Sequence, residues 1–234
     1  MKTNSGVPLD EHHRQTIQDM FAHVAPRYDL MNDLMSMGTH RLWKTSFSAL
    51  AGSESGTAID LAGGTGDIAE RLIRKGWRVT VCDPSEEMMQ AGQDRGIAAE
   101  AWVAGMGEDL PFADNSVDLI TVSFGLRNMT DPDLALSEML RVLKPGGRML
   151  CLEFSKAAPW LRPFYDWYSL HIIPRLGAMV AGRREAYQYL VDSIRAFPDQ
   201  ETLKARLEDV GFEATSYKNV SFGIAAIHQG TKPL

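Results

Sequence analysis

The chain has 234 residues, 44% of them hydrophobic, and a formal net charge of −6. That length suits one well-buried α/β domain with extra helices rather than two full domains. The negative charge argues against a general nucleic-acid binder, which needs a basic face. The two cysteines, Cys82 and Cys151, lie in apolar runs and are expected as free core thiols in a reducing compartment. No metal-ligand spacing surrounds either one. The N-terminus lacks the apolar core of a secretion signal, and no run approaches the roughly 20 apolar residues of a spanning helix.

Residues 1–10 are expected to fray. The run TIQDMFAHVAPRYD predicts a helix from Thr16 towards Asp29, and LMNDLMSMGTHRLWKTSFSAL a second helical region interrupted at Gly38. After the polar loop AGSESG, TAIDLA reads as strand one and TGDIAERLIRKG as its helix, closed by Gly76. WRVTVCD is strand two. SEEMMQAGQDRG is a helix with Glu86 and Glu87 in its first turn, where acids favour the positive helix end. AAEAWVAG is a weak third strand and VDLITVSF a clear fourth. DPDLALSEMLRVLK is a helix with Pro132 in its first turn, and PGG turns the chain into strand five, RMLCLEFS. This alternation predicts a mostly parallel sheet covered on both faces. In the tail, DQETLKARLEDVG is a helix ended by Gly211, and FEATSYKNV with FGIAAIHQGTK predicts an antiparallel closing edge. Before that tail lies WLRPFYDWYSLHIIPRLGAMVAG, unusually rich in aromatic and aliphatic residues.

In an open α/β sheet, ligands bind beyond the carboxyl ends of the strands. Strand one ends at Asp60 and Leu61, and Gly63, Gly64 and Gly66 let the backbone turn tightly and approach a ligand. Asp83 ends strand two, where a carboxylate can accept hydrogen bonds from both hydroxyls of a ribose. Together these predict a nucleoside-containing cofactor. Gly64, Gly66 and Ala69 also satisfy G-x-G-x-x-A, so a dinucleotide is the competing reading. Asp60 opposes it, because an acid before the turn repels a pyrophosphate and suits an ammonium. S-adenosylmethionine has an amino-acid end, a sulfonium and a ribose, but no phosphate. Asp60 has a plainer alternative role, capping the turn or the next helix.

The other rim loops follow from the same topology. GMGEDLPFADNSVD follows strand three, with Met106 and Gly107 placed beside the adenine and LPF at its edge. SFGLRNMTD follows strand four and brings a glycine, a cation and an amide to the switch point. A desolvated Arg127 needs a partner, so a loop-holding salt bridge is the alternative to a chemical role. Glu153, ending strand five, reads more readily as framework than as chemistry.

Several stretches together resemble the quinone-biosynthesis C-methyltransferases: YDLMNDLMSMGTHRLWK, DLAGGTGD, LPFADNSVD, SFGLRNMTD, RVLKPGGRMLCLEFSK, YDWYSLHIIPRLG and YQYLVDSIRAFPDQETL. The likeness runs from about residue 17 to 232. It implies a class I adenosylmethionine-dependent methyltransferase with a Rossmann-like sheet, an N-terminal helical lid region over residues 1–50, and a methyltransferase domain over 51–234. Within that domain, 156–190 is expected as a helical insertion forming the acceptor pocket. The resemblance assigns Thr65, Asp83, Met106, Gly107 and Ser123 to the cofactor. It assigns Arg127 and Asn128 to ring activation and Tyr28 to the active site. The chain departs from the pattern at Ala62, where generic methyltransferases carry glycine, and at Met106, where members often carry Asn or Asp.

The implied chemistry is C-methylation. A methyl sulfonium is electrophilic, so the acceptor is expected to be the reduced quinol, activated as its phenolate. A phenol of pKa near 10 is mostly protonated at neutral pH. Arg127 and Asn128 are therefore expected to fix the ring oxygen, with an ordered water, Tyr28 or His40 removing the proton. His40 has a structural hydrogen bond as its alternative. No metal is expected. Trp160, Phe164, Trp167, Tyr168, Ile172 and Ile173 are expected around the isoprenoid tail, with packing on the sheet or a homodimer contact as the plainer alternatives. Arg162, Arg175, Arg183 and Arg184 are expected to meet lipid headgroups, placing a cytoplasmic enzyme peripherally at the inner face of the membrane. The competing activities are an NAD-dependent reductase and methylation of another small phenol. Spacing does not separate a benzoquinol from a naphthoquinol acceptor.

Overall fold

A computed structural model describes residues 33, 36, 38–53, 56–172 and 184–234. Its strands form one seven-stranded sheet in the order β3-β2-β1-β4-β5-β7-β6. These are β1 (Thr57–Leu61), β2 (Arg78–Asp83), β3 (Ala101–Ala104), β4 (Val117–Ser123), β5 (Leu143–Phe154), β6 (Glu213–Val220) and β7 (Ala225–Thr231). The first five pair in parallel, whereas β7 runs antiparallel to both β5 and β6. The order reverses between β1 and β4, which opens a crevice at their carboxyl ends.

The helices are α1 (His40–Leu50), α2 (Asp67–Ile73), α3 (Glu86–Asp94), α4 (Pro132–Val142), α5 (Arg162–His171), α6 (Arg184–Ala196) and α7 (Gln200–Val210). Their ends follow from local chemistry. Ser85, Asp131 and Asp199 accept the backbone N–H groups of Met88, Leu134 and Thr202, satisfying donors that the first turns leave open. Gly211 closes α7 at φ +112°, a left-handed conformation that a side chain would oppose. Gly38, at φ +77°, interrupts the chain before α1 as the sequence indicates. The helix expected over 16–29 lies outside the described residues.

Alternate strand residues feed two cores. Ala58, Leu119, Leu150 and Leu152 join one with Trp43, Phe47, Leu72 and Ile194. Ile59, Ile120, Met149 and Cys151 join the other with Leu136, Met139 and Leu207. The described part of the expected lid, α1, is thus packed into a core. Trp43 Nε1 further donates to Ser221 Oγ at 2.8 Å. Both cysteines are free and buried.

Strand five is longer than its sequence suggests. It begins at Leu143, pairs there with Val117, and carries Pro145–Gly147 through a register shift before regular pairing resumes at Leu119 and Arg148. The aromatic insertion contributes α5; Trp160 just before it and Phe164 and Trp167 on it face solvent, with exposures of 68%, 57% and 52%. Tyr165 and Ser169, on the opposite side of α5, line a cavity of about 350 Å³ against Val191 and Ile194 of α6. Ile173, Arg175 and Arg183 lie outside the described residues. Among the described residues no helix is long and apolar enough to cross a membrane.

Candidate active site

The turn after β1 is held by its own acids. Gly64 and Gly66 take φ +53° and +77°, and Gly66 is the N-cap of α2. A Cβ on Gly63 would lie 2.8 Å from the Asp60 carbonyl oxygen and 2.9 Å from Asp60 Oδ2, so that position admits no side chain without movement. Asp83 reaches across from β2, and its Oδ2 accepts from Gly64 N while Oδ1 accepts from Ser85 N, both at 2.8 Å. Each carboxylate oxygen has a second lone pair, so these bonds leave Asp83 acceptor capacity for a ribose. Burial raises its pKa, and the two N–H bonds oppose that rise.

Asp60 is almost wholly buried. Its Oδ1 accepts from Thr121 Oγ1 and its Oδ2 from Ala69 N, both at 2.9 Å. Burial pushes its carboxyl up to about 7, against the opposing effect of those bonds. Asp60 therefore fastens the turn to β4 and to the start of α2, as its alternative reading holds.

A cleft of about 180 Å³ opens above this turn. Asp60, Gly63, Gly64, Thr65, Asp83, Met106, Gly107, Ser123 and Asn128 line it; Gly66 does not. Leu110, Pro111 and Phe112 do not line it either: Leu110 is a core residue, and Pro111 packs against Gly105. Three methionines, Met88, Met106 and Met129, supply soft apolar wall suited to a purine. A Cβ on Gly107 would sit 2.6 Å from Met129 Sδ, so any side chain there would have to push Met129 aside. Ser123 Oγ is sealed from solvent with no hydrogen-bond partner among the described residues, and a ligand can satisfy it. Among the described lining residues, the charged groups are Asp60, Asp67, Asp83 and Glu108 against the single cation Lys44. Such a wall disfavours a pyrophosphate and accommodates a cationic nucleoside.

The loop after β4 supplies the far wall. Phe124 adopts φ +59°, a strained conformation for a bulky residue. Its carbonyl accepts from Arg127 Nη1 at 2.7 Å and Asn128 Nδ2 at 3.3 Å, and its ring packs on Phe154 with centroids 4.9 Å apart. The Arg127 side chain is 0% exposed and lies 2.8 Å from Glu153 Oε2, with its guanidinium carbon 5.9 and 5.6 Å from the Phe124 and Phe154 ring centroids. Arg127 N also donates to Glu153 Oε1. Arg127 is thus under the wall that Asn128 presents to the cleft, and is not itself among the described lining residues. Tyr189 Oη lies 3.5 Å from Asn128 Oδ1.

His40 is buried on α1 with Nε2 2.8 Å from Asp33 Oδ1, and it too is absent from the described lining. Tyr28 lies outside the described residues. Sequence reasoning missed Lys44, yet a signal was there. His40, Trp43, Lys44 and Phe47 form one buried helical stripe, and a lysine on such a stripe needs a partner. Glu108, which accepts from Thr130 N and Asp131 N, was equally unmarked. Among the described residues no group of three or more His, Cys, Asp or Glu is placed to hold a metal ion.

Comparison with known proteins shows the fold and the family. Two solved structures share the fold: a SAM-dependent methyltransferase from Thermotoga maritima (TM-score 0.67, 20% identity, 92% of this chain and 99% of that one), and another from Aquifex aeolicus (TM-score 0.60, 17% identity, 90% and 97%). The Ubiquinone/menaquinone biosynthesis C-methyltransferase UbiE of Rubrivivax gelatinosus is 56% identical over 226 residues, covering 96% of this chain and 90% of its own. Its namesake from Paracoccus denitrificans is 49% identical over 225 residues, covering 92% and 90%. The model of the ubiE/COQ5 methyltransferase family matches residues 9–232, and the chain belongs to that family.

Proposed function

We propose that this protein transfers a methyl group from S-adenosyl-L-methionine to a ring carbon of a polyprenylated quinol, either demethylmenaquinol or 2-polyprenyl-6-methoxy-1,4-benzoquinol. The donor reading is carried by one observation: a nucleoside-sized cleft whose described charged lining is four carboxylates and one ammonium. The acceptor class is supported by the identity to relatives named for ubiquinone and menaquinone biosynthesis.

When bound, adenosylmethionine supplies an electrophilic methyl on a sulfonium. Asp83 takes the ribose hydroxyls, Met106 and Gly107 border the adenine, and Ser123 and Thr65 complete the polar contacts. Asn128 meets the phenolic oxygen from the cleft wall. Arg127 lies close behind, and its charge favours the phenolate while its bonds to Phe124 and Glu153 keep the loop in place. An ordered water or Tyr28 accepts the proton, because His40 is turned to Asp33 and lies off the described lining. Holding donor and acceptor in line contributes much of the rate, since effective molarities of roughly 10⁵ M or more are within reach of good positioning. The exposed Trp160, Phe164 and Trp167, with Arg162 beside them, give the protein a face for reversible contact with the membrane that holds such a substrate.

The test is transfer of labelled methyl to each quinol under reducing conditions. Product from either quinol supports the assignment, and product from both means one ring pocket serving two acceptors. No product from either, with cofactor binding confirmed, moves the acceptor to another small phenol.

A further inference from the structure

Lys44 lines the cleft but has no part in the proposed reaction. This lysine sits on the buried stripe of α1, its side chain 7% exposed, with Nζ 2.8 Å from Asp67 Oδ2. A buried ammonium is costly unless it is paired. Asp67 is the first residue of α2, where the helix dipole favours negative charge, and it also accepts from Arg71 Nε at 3.2 Å. Both Lys44 and Asp67 line the cleft beside the glycine turn.

Asp60 is only 1% exposed, whereas the Asp67 side chain is 32% exposed, so Asp67 is the better placed of the two to meet an ammonium. The pair Lys44–Asp67 has the charge pattern that a zwitterion needs: a cation for the carboxylate and an anion for the ammonium. We propose that Lys44 takes the α-carboxylate of the donor's amino-acid end and Asp67 its α-ammonium. An ammonium has three donors, so contact with Asp67 is compatible with a second carboxylate on the same nitrogen. Ligand binding then ties α1 to α2 and fixes the reach of the methyl group from its amino-acid end.

The inference rests on this cleft being the donor site, and the test separates the two. S-adenosylhomocysteine and 5′-methylthioadenosine share the nucleoside, but only the former has the amino-acid end. Calorimetry on Lys44→Met is expected to show S-adenosylhomocysteine weakened by about tenfold or more, with methylthioadenosine changed by less than about twofold. Asp83→Ala is expected to weaken both ligands. If it weakens neither, the donor site itself is misplaced. Equal losses for both ligands in Lys44→Met, or no loss, would overturn the role of Lys44. Should Lys44→Met fail to fold, Lys44→Gln is titrated instead, and the wild type is compared with adenosylmethionine and its decarboxylated analogue. Equal wild-type affinity for those two overturns the carboxylate contact.

Discussion

Asp118 and Asp60 lie on neighbouring strands of one sheet, at opposite rims. Asp118, near the start of β4, accepts from Lys144 Nζ and Thr57 Oγ1 at 2.8 Å and from Thr57 N at 2.9 Å. Partial burial pushes its carboxyl up, but those donors outweigh it and hold the pKa at about 2. Asp60, at the end of β1, has two hydrogen bonds and no adjacent cation, and burial takes it to about 7. Asp83, at the end of β2, is raised for the same reason. The N-terminal rim spends its acid on pinning β1 to β4. The C-terminal rim keeps buried acids around a cleft, where a cationic ligand compensates them.

The largest effect that sharpens this contrast is at Arg127. Removing one partner of a buried pair leaves a bare charge, so Arg127→Met is expected to cost about 3–5 kcal/mol in urea unfolding. Lys144→Met, breaking a half-exposed pair at the other rim, is expected to cost at most about 1 kcal/mol. Adding Glu153→Met to Arg127→Met should restore most of the stability. If turnover returns with it, Arg127 serves the loop and not the chemistry.

Next are two glycines. Gly63→Ala places a methyl against the Asp60 backbone, which should cost about 1–3 kcal/mol of stability and, by shifting the turn, also weaken S-adenosylhomocysteine binding. Gly56→Ala meets the Trp77 ring at 2.8 Å beside Asp118. It should lower the melting temperature and leave that affinity unchanged. Loss of affinity in Gly56→Ala would break the division between the rims.

Smaller effects lie in pH dependence. Asp60 holds its proton more tightly folded, at about 7, than at its ordinary 3.8. Its contribution is therefore full below 3.8 and is lost as pH rises through about 7. Relative to Asp60→Asn, the wild type should lose stability across that window. Asp118 has the opposite sign: its contribution is present above 3.8 and disappears as pH falls through about 2. Asp118→Asn should cost at most about 1 kcal/mol at neutral pH after solvent screening, and nothing at the acid end. Thermal melts over pH 2–8 read both.

The fold was legible because burial has a period. Ala58 and Ile59 enter opposite cores as a strand should, and Gly211 ends α7 where its position indicated. The glycine turn and Asp83 were legible because tight turns and strand ends restrict residue type. What depended on distant partners was not. Whether Arg127 faces the cleft or Glu153 is decided by a contact spanning β4 to β5, and Phe124's strain by two donors in the next turn. The role of the aromatic insertion was not legible for a related reason. Its residues suit a pocket wall and a solvent-facing surface equally, and in α5 Phe164 and Trp167 face outward.

The contrast between the rims is tested most directly by titrating S-adenosylhomocysteine into wild type, Asp83→Asn and Asp118→Asn by calorimetry. The expected result is at least about a tenfold loss for Asp83→Asn and a change within about twofold for Asp118→Asn. Unchanged affinity in Asp83→Asn, or an equal loss in both variants, would contradict the placement of the donor at the carboxyl end of the sheet.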